Sequence, residues 1–238
     1  LYQKHWLVRS YATVINFFMR QYDYKTAQNV DYFIANSREV ARRVQKFYRR
    51  ESTVIYPPVD IQKTETSTQH KNPFYLSVGR LMWAKRIDLI IAAANKLKIR
   101  LKIVGKGPEE EHLRSLAGQT IEFLGPVSDT DLAGLYRSAR ATIFTALDED
   151  FGIVPVESQL AATPVIALAQ GGVLETVVDG KTGVLFSEPT VGSLVHAITK
   201  FEGTKSDWSN ACIAWAKKFR KERFVRELRD FVDAKTRI

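Results

Sequence analysis

The stretch ATIFTALDEDFGIVPVESQLAATPVIAL, residues 141–168, contains one complete structural repeat. It opens on ATIFT (141–145), an apolar run of strand length, and passes through the polar turn LDED into Phe151-Gly152. A helical pattern follows over 153–162, and PVIAL (164–168) closes the unit. Two short β-rich runs joined through one helix form a βαβ unit, and such a crossover lays its strands parallel. The runs are continuously apolar rather than alternating, as expected of strands covered on both faces.

Outward from this unit the same alternation fills Pro73 to Phe186. FYLSV (74–78), RLKIV (100–104), TIEFL (120–124) and GVLF (183–186) are further strand runs. Helical patterns occupy 86–98, 108–117, 129–139 and 173–178. The expected fold class is α/β, a Rossmann-like parallel sheet with helices on both faces. Most strand ends run into glycine, proline or polar residues, as in VGR, VGKGP, LGPVS, TALDE and LAQGG. Doubly wound sheets bind ligands beyond the carboxyl ends of their strands, so the site is expected there.

The flanks read differently. Residues 1–30 are helical, with Trp6, Tyr11, Phe17, Phe18, Tyr22 and Tyr24 spread over at least two faces. DYFIANS (31–37) reads as a strand ending in an Asn-Ser turn, followed by a basic helix over 38–49. VIYPPVD (54–60) is a strand stopped by Pro57-Pro58. KTETSTQHKN (63–72) is polar and loop-like, and two or three helices follow residue 190. The expected division is 1–52, the last part of a neighbouring domain with linker helices, and 53–238, the sheet domain with C-terminal helices. The chain begins at Leu1 and is read as a fragment of something longer.

Composition bounds the function. With 45% hydrophobic and 26% charged residues the chain can bury a sizeable core. No apolar run approaches the roughly 20 residues that span a bilayer, and LYQKHWLVRS carries no signal-peptide core. Cys212 is the one cysteine, which excludes internal disulfides and a cysteine metal cluster; it reads as a buried residue of a C-terminal helix. Lys and Arg number 35 against 26 Asp and Glu, a net charge of +9 that favours anionic partners. The surplus concentrates in REVARRVQKFYRR (38–50) and KKFRKERFVRELR (217–229), each either a solvated helix face or one turned to a membrane or partner domain. No nucleic-acid recognition module is visible, so sequence-specific nucleic-acid binding is not expected.

Three motifs carry the chemistry. In SVGRLMWAK, Gly79 permits a tight turn, Arg80 follows the strand and Lys85 stands five residues on. They form either an anion site near helical N–H groups or two surface cations. IVGKGP (103–108) is a glycine-rich strand-to-helix turn that is neither GxGxxG nor a P-loop, and it allows a ligand to approach closely. Glu149 and Glu157 enclose seven residues, an E-x7-E spacing, across a helix start whose N–H groups from Phe151 to Val154 can meet a phosphate. The carboxylates could be an acid/base pair, a metal site, a binding clamp or decoration of a helix start. As a metal site they lack histidines, since His5, His70, His112 and His196 are scattered. Glu157, one turn in, could accept hydrogen bonds from a vicinal diol such as a ribose, with Glu149 facing another part of the same ligand. Gly171-Gly172 again leave backbone bare where a ligand could approach, whereas Asp179-Gly180 and Thr182-Gly183 read as a structural turn.

Taken together, VDYFIANS, VIYPPVD, LSVGRLMWAKRIDLII, LKIVGKGPEEEHLR, IEFLGPVSDTDLAGLYRSA and EDFGIVPVESQLAATPVIALAQGGVLETVVDGKTGVLF resemble the nucleotide-sugar-dependent, retaining glycosyltransferases of family 4. These have the two-domain GT-B architecture, and this stretch resembles its C-terminal, donor-binding domain. The resemblance implies that Arg80 and Lys85 hold the donor diphosphate and stabilise the charge growing on the leaving group, work otherwise done by a metal. It implies no cofactor beyond the nucleotide-sugar donor. Gly152 and Ile153 would assist through their N–H groups, Glu157 would bind the ribose, and Glu149 the hydroxyls of the transferred sugar. Val104, Gly105 and Val127 would line the base pocket, with Gly79 and Phe151 completing the donor site. Arg80, Lys85 and Glu149 form the implied catalytic set, working by same-face attack through an oxocarbenium-like state.

The EDFGIVPVE and GGVLETV stretches look most like GDP-mannose-dependent mannosyltransferases of surface-polysaccharide assembly. That implies a saccharide or lipid-linked oligosaccharide acceptor, a cytoplasmic location and attachment to the inner membrane face. The acceptor-binding N-terminal domain of such enzymes is almost absent, so this stretch alone is expected to transfer nothing. Ala162 stands where the family has glycine, read here as a mild change at a packing position. Rival classes are a GT-B-like sugar-nucleotide epimerase, a nicotinamide-binding domain (disfavoured by the missing GxGxxG) and a nucleic-acid-binding module.

Overall fold

The computed structural model describes residues 6–61, 74–204 and 207–236, so the polar stretch 63–72 lies outside the described residues. Contacts divide the chain into two compact units, Leu1–Ile55 and Tyr56–Ile238.

In the first unit, helix α1 (Trp6–Gln28) and helix α2 (Arg38–Tyr48) accompany two short strands, β1 (Ile34–Ala35) and β2 (Thr53–Val54), paired in parallel. The strands are shorter than the runs around them. Ser37 leaves β1 at once to cap α2, its hydroxyl accepting from the Val40 N–H at 3.0 Å. Beyond β2, Pro57 and Pro58 have no N–H to continue a ladder. Because β2 pairs with β1, the unit ends at Ile55, three residues beyond the boundary read from sequence. Arg50, the last cation of the basic run, is not on a solvated helix face. Its guanidinium donates to the carbonyls of Ala27, Gln28, Val30 and Asp31 and lies over the Phe33 ring, closing the C-terminal end of α1. Along α1 itself, Trp6, Tyr11, Phe17, Phe18 and Tyr22 are all exposed.

The second unit is built on six parallel strands, β3 (Phe74–Val78), β4 (Leu101–Val104), β5 (Ile121–Gly125), β6 (Ala139–Phe144), β7 (Val165–Leu168) and β8 (Gly183–Phe186), in the order β5-β4-β3-β6-β7-β8. Between and after them run α3 (Ile87–Leu97), α4 (Glu110–Leu116), α5 (Asp129–Ser138), α6 (Ile153–Leu160), α7 (Val173–Thr176), α8 (Val191–Gly203), α9 (Trp208–Ala216) and α10 (Lys221–Thr236). This is the α/β fold expected, with both sheet faces covered. Tyr75, Ile103, Ile143 and Ile166 point to α3, α4 and α8, while Leu76, Phe144 and Val165, their neighbours along the strands, point to the α5, α6 and α7 side. The period of two along each strand, with both sets buried, explains why the strands read as unbroken apolar runs.

Successive strands leave β3 in one direction through β4 to β5, and the chain then returns to β6 on the other side of β3. The order therefore reverses between β3 and β6, and the crevice of such a sheet opens at their carboxyl ends. Cys212 is fully buried on α9 as expected, and burial pushes its thiol pKa up to about 12.

One sequence reading is corrected here. Ala162 is not a packing substitution. It has φ +67, in the left-handed region, and ends α6 in a two-bond cap: the Ala162 N–H donates to the Gln159 carbonyl and the Thr163 N–H to that of Ser158. Glycine suits that position for its backbone freedom, and alanine there is strained.

Candidate active site

The carboxyl ends of the strands are tied into one rim by hydrogen bonds between consecutive turns. The Gly105 N–H donates to Gly125 O (2.9 Å) and the Gly79 N–H to Val104 O (3.0 Å), linking the ends of β5, β4 and β3. Across the switch point the Leu147 N–H donates to Ala84 O at 2.8 Å, and farther on the Gly172 N–H donates to Glu149 O at 2.8 Å. The buried Thr145 hydroxyl, at the end of β6, donates to the carbonyls of Lys85 (2.8 Å) and Arg86 (3.0 Å). Thr145 thus fixes the turn that presents Lys85. Sequence reasoning missed it; the available signal was a lone polar residue at the end of an apolar strand.

On this rim the structure brings together Lys85 and Glu149, which the sequence places 64 residues apart. Lys85 lies in a single 3-10 turn (Trp83–Lys85) before α3, and its Nζ sits 2.7 Å from Glu149 Oε2. The same ammonium is 5.7 Å from the centroid of the Phe144 ring below it. Arg80, just beyond β3, is exposed, and Gly79 before it has open space where a side chain would stand. Gly152, at φ +93, precedes the first turn of α6, which no side chain caps. The N–H groups of Ile153 and Val154 therefore begin the helix with the positive end of its dipole, four residues along the chain from Glu149.

Glu157 stands one turn into α6. It lies against α5, where the fully buried Tyr136 hydroxyl donates to Oε2 at 2.8 Å. Burial raises the Glu157 pKa, the Tyr136 hydrogen bond opposes the rise, and the nearby Asp129 charge adds to it. A cavity of about 100 Å³ lies beside this pair, lined by Ile61, Leu132 and Ala133, with Asp60 and Asp129 also facing it.

Other residues read from sequence take different positions. The Phe151 ring is 2% exposed and packs against Tyr56 and Phe219, so it belongs to the core and leaves only its backbone for a ligand. Val104 is buried and Val127 half-buried in the cluster beneath α5. The glycines read as bare backbone are filled by neighbouring turns instead of open to a ligand. A Cβ on Gly105 would lie 2.0 Å from Gly79 O, one on Gly171 2.3 Å from Glu149 O, and one on Gly172 2.3 Å from Asp150 O. These glycines let the rim close on itself. Among the described residues no group of three or more His, Cys, Asp or Glu is placed to hold a metal ion, and no helix is long and apolar enough to cross a membrane.

A doubly wound sheet of this order matches the fold of GT-B glycosyltransferase structures. HepE of Anabaena, in complex with UDP and glucose, superimposes with TM-score 0.78 at 23% identity, over 90% of this chain and 67% of that one. Sucrose-phosphate synthase from Thermosynechococcus elongatus does so with TM-score 0.78 at 21%, over 90% and 61%. The chain belongs to the glycosyl transferases group 1 family, whose sequence profile matches residues 59–219. D-inositol 3-phosphate glycosyltransferase of Mycobacterium tuberculosis is 32% identical over 198 residues, covering 73% of this chain and 41% of that protein. The Mycobacterium bovis protein of the same description matches equally. The chain therefore spans less than half the length of the curated relatives it matches.

Proposed function

We propose that this chain is the donor-binding part of a retaining hexosyltransferase that takes its sugar from a nucleoside diphosphate, with GDP-mannose as the donor and mannose as the group moved. The observation that carries the reading is the Lys85–Glu149 ion pair at the switch point, beside exposed Arg80 and the uncapped start of α6. A sugar diphosphate offers what each group needs. Its phosphates meet Lys85, Arg80 and the Ile153 N–H, and its sugar hydroxyls donate to Glu149. Its ribose diol donates to Glu157, with the base toward Val104, Gly105 and Val127.

In the reaction the bond from the anomeric carbon to the diphosphate oxygen breaks, leaving an oxocarbenium-like sugar. Arg80 and Lys85 neutralise the charge on the departing diphosphate, so no metal is required. The acceptor hydroxyl attacks from the face the leaving group vacates, and its proton passes to a diphosphate oxygen. Glu149 acts as the anchor of the sugar ring and as the neighbour that keeps Lys85 in place.

The acceptor is a saccharide or a lipid-linked oligosaccharide, held by polypeptide outside this stretch at the cytoplasmic face of a membrane. The basic residues of α2 and α10 support that location. The curated relatives are named for D-inositol 3-phosphate, which makes it the second acceptor to assay.

Calorimetric titration with GDP, UDP, ADP and their sugars, on the wild type and Glu157→Ala, tests the donor. Tightest binding of guanosine diphosphate by the wild type is expected, with affinity for all three nucleotides weakened in the variant. Preference for UDP would replace mannose transfer from GDP-mannose with a UDP-sugar reaction, and indifference to all nucleotides would overturn the reading. Binding unchanged by EDTA is expected, and loss of binding with EDTA would show that a metal shares the diphosphate.

A further inference from the structure

We infer that Tyr136 is a positioning residue for Glu157, holding one carboxylate oxygen from the core side so that the other is presented to the diol of a bound nucleoside. The inference rests on the donor reading above for its ligand, but its geometry stands on the fold. Tyr136 is fully buried in α5. It is attached to α6 and to the turn that follows it. Its hydroxyl donates to Glu157 Oε2 at 2.8 Å in the second turn, and its carbonyl accepts from the Thr163 hydroxyl at 2.5 Å beyond the helix end. A glutamate has three side-chain torsions, and a carboxylate that swings loses the geometry needed to accept from two vicinal hydroxyls. The phenol fixes that swing. A phenylalanine here would keep the packing and remove only the hold.

Among the described residues, the charged and titratable groups that line the small cavity with Glu157 are Tyr136 and Asp129 from α5 and Asp60 from the segment after β2. Burial favours the protonated acid, the tyrosine hydrogen bond favours the carboxylate, and Asp129 favours the acid. Removal of Tyr136 and removal of the Asp129 charge should therefore move Glu157 in opposite directions. A residue that merely filled space would not produce that contrast.

The test compares wild type, Tyr136→Phe and Asp129→Asn, each first shown to unfold cooperatively. The Glu157 carboxyl is titrated by carbon-13 NMR without ligand, and GDP and UDP affinities are measured across the acid range. Tyr136→Phe should titrate at higher pH than wild type and Asp129→Asn at lower pH. The acid-side loss of nucleotide affinity should follow the same order, and Tyr136→Phe should bind about tenfold more weakly at pH 6. An unmoved Glu157 titration in Tyr136→Phe, or a loss of affinity equal at every pH, overturns the positioning role. If the titration moves as expected while the wild type binds no nucleotide, the donor reading fails and the hold on Glu157 stands without that ligand. Should Tyr136→Phe fail to fold, 3-fluorotyrosine at position 136 decides the matter: its more acidic phenol is a stronger donor and should move the Glu157 titration to lower pH, and an unmoved titration overturns the hold.

Discussion

Replacing Ala162 with glycine should stabilise this protein, although it deletes a methyl group. Ala162 has φ +67, where an L-side chain crowds the following carbonyl at about 1–2 kcal/mol. Glycine removes that cost but adds freedom to the unfolded chain worth about 0.4–1 kcal/mol. The two cap hydrogen bonds, Ala162 N–H to Gln159 O at 3.0 Å and Thr163 N–H to Ser158 O at 2.9 Å, are backbone bonds that glycine keeps. The balance is a gain of about 0.5–1 kcal/mol, or a rise of roughly 1–4 °C in the unfolding midpoint for a domain of this size. Ala161→Gly is the internal control: Ala161 has φ −82 and a buried methyl, so glycine there should destabilise. Urea and thermal unfolding of both variants measure the two effects. If Ala162→Gly is neutral or destabilising while Ala161→Gly behaves as expected, the strain assigned to the end of α6 is wrong.

Four further outcomes follow from the rim. Glu157→Gln keeps the acceptor for Tyr136 and removes a buried charge. Because the folded pKa of Glu157 is raised above the unfolded value of 4.5, the wild type loses stability as pH rises through that folded pKa. The variant should therefore match the wild type in acid and exceed it near neutrality, as read by unfolding midpoints against pH. Thr145→Val takes the hydroxyl donor from the Lys85 and Arg86 carbonyls, of which the Arg86 carbonyl keeps the Leu89 N–H, and should cost about 1–3 kcal/mol in urea unfolding and weaken donor binding. Gly172→Ala drives a Cβ to 2.4 Å from Phe151 Cα, so the Glu149 turn must move; about 1–3 kcal/mol of stability and much of the donor affinity should be lost. A double-mutant cycle of Lys85→Met and Glu149→Gln should return a coupling of about 1 kcal/mol that shrinks in 1 M salt, and a zero coupling would mean that the pair adds nothing to stability.

Much of this was legible in the chain. Strand runs at regular spacing, each continuously apolar, imply a parallel sheet buried on both faces, because only βαβ crossovers cover both sides. The ends of those runs marked the edge proposed to bind the donor, since glycines and charges accumulate there. Arg80, Lys85, Glu149 and Glu157 could be named from sequence for that reason, together with the ordered resemblance to a glycosyltransferase family.

What sequence could not decide was how the turns meet. Gly105, Gly171 and Gly172 look alike in sequence to glycines that admit a ligand, but a glycine's missing Cβ can equally admit a neighbouring backbone, and only the fold shows which one is there. Phe151 stands in the middle of the polar motif, yet its ring turns inward to Tyr56 and Phe219, in a cluster with Val59, Val156 and Ala216. Ala162 read as packing because a dihedral leaves no trace in residue identity. The partners of the two carboxylates also belong to the tertiary structure. Lys85 and Tyr136 reach Glu149 and Glu157 from separate strand-to-helix units, 64 and 21 residues away in the chain. Local pattern fixes what each segment becomes. Only the stacking of βαβ units at the switch point brings such distant groups within hydrogen-bonding distance.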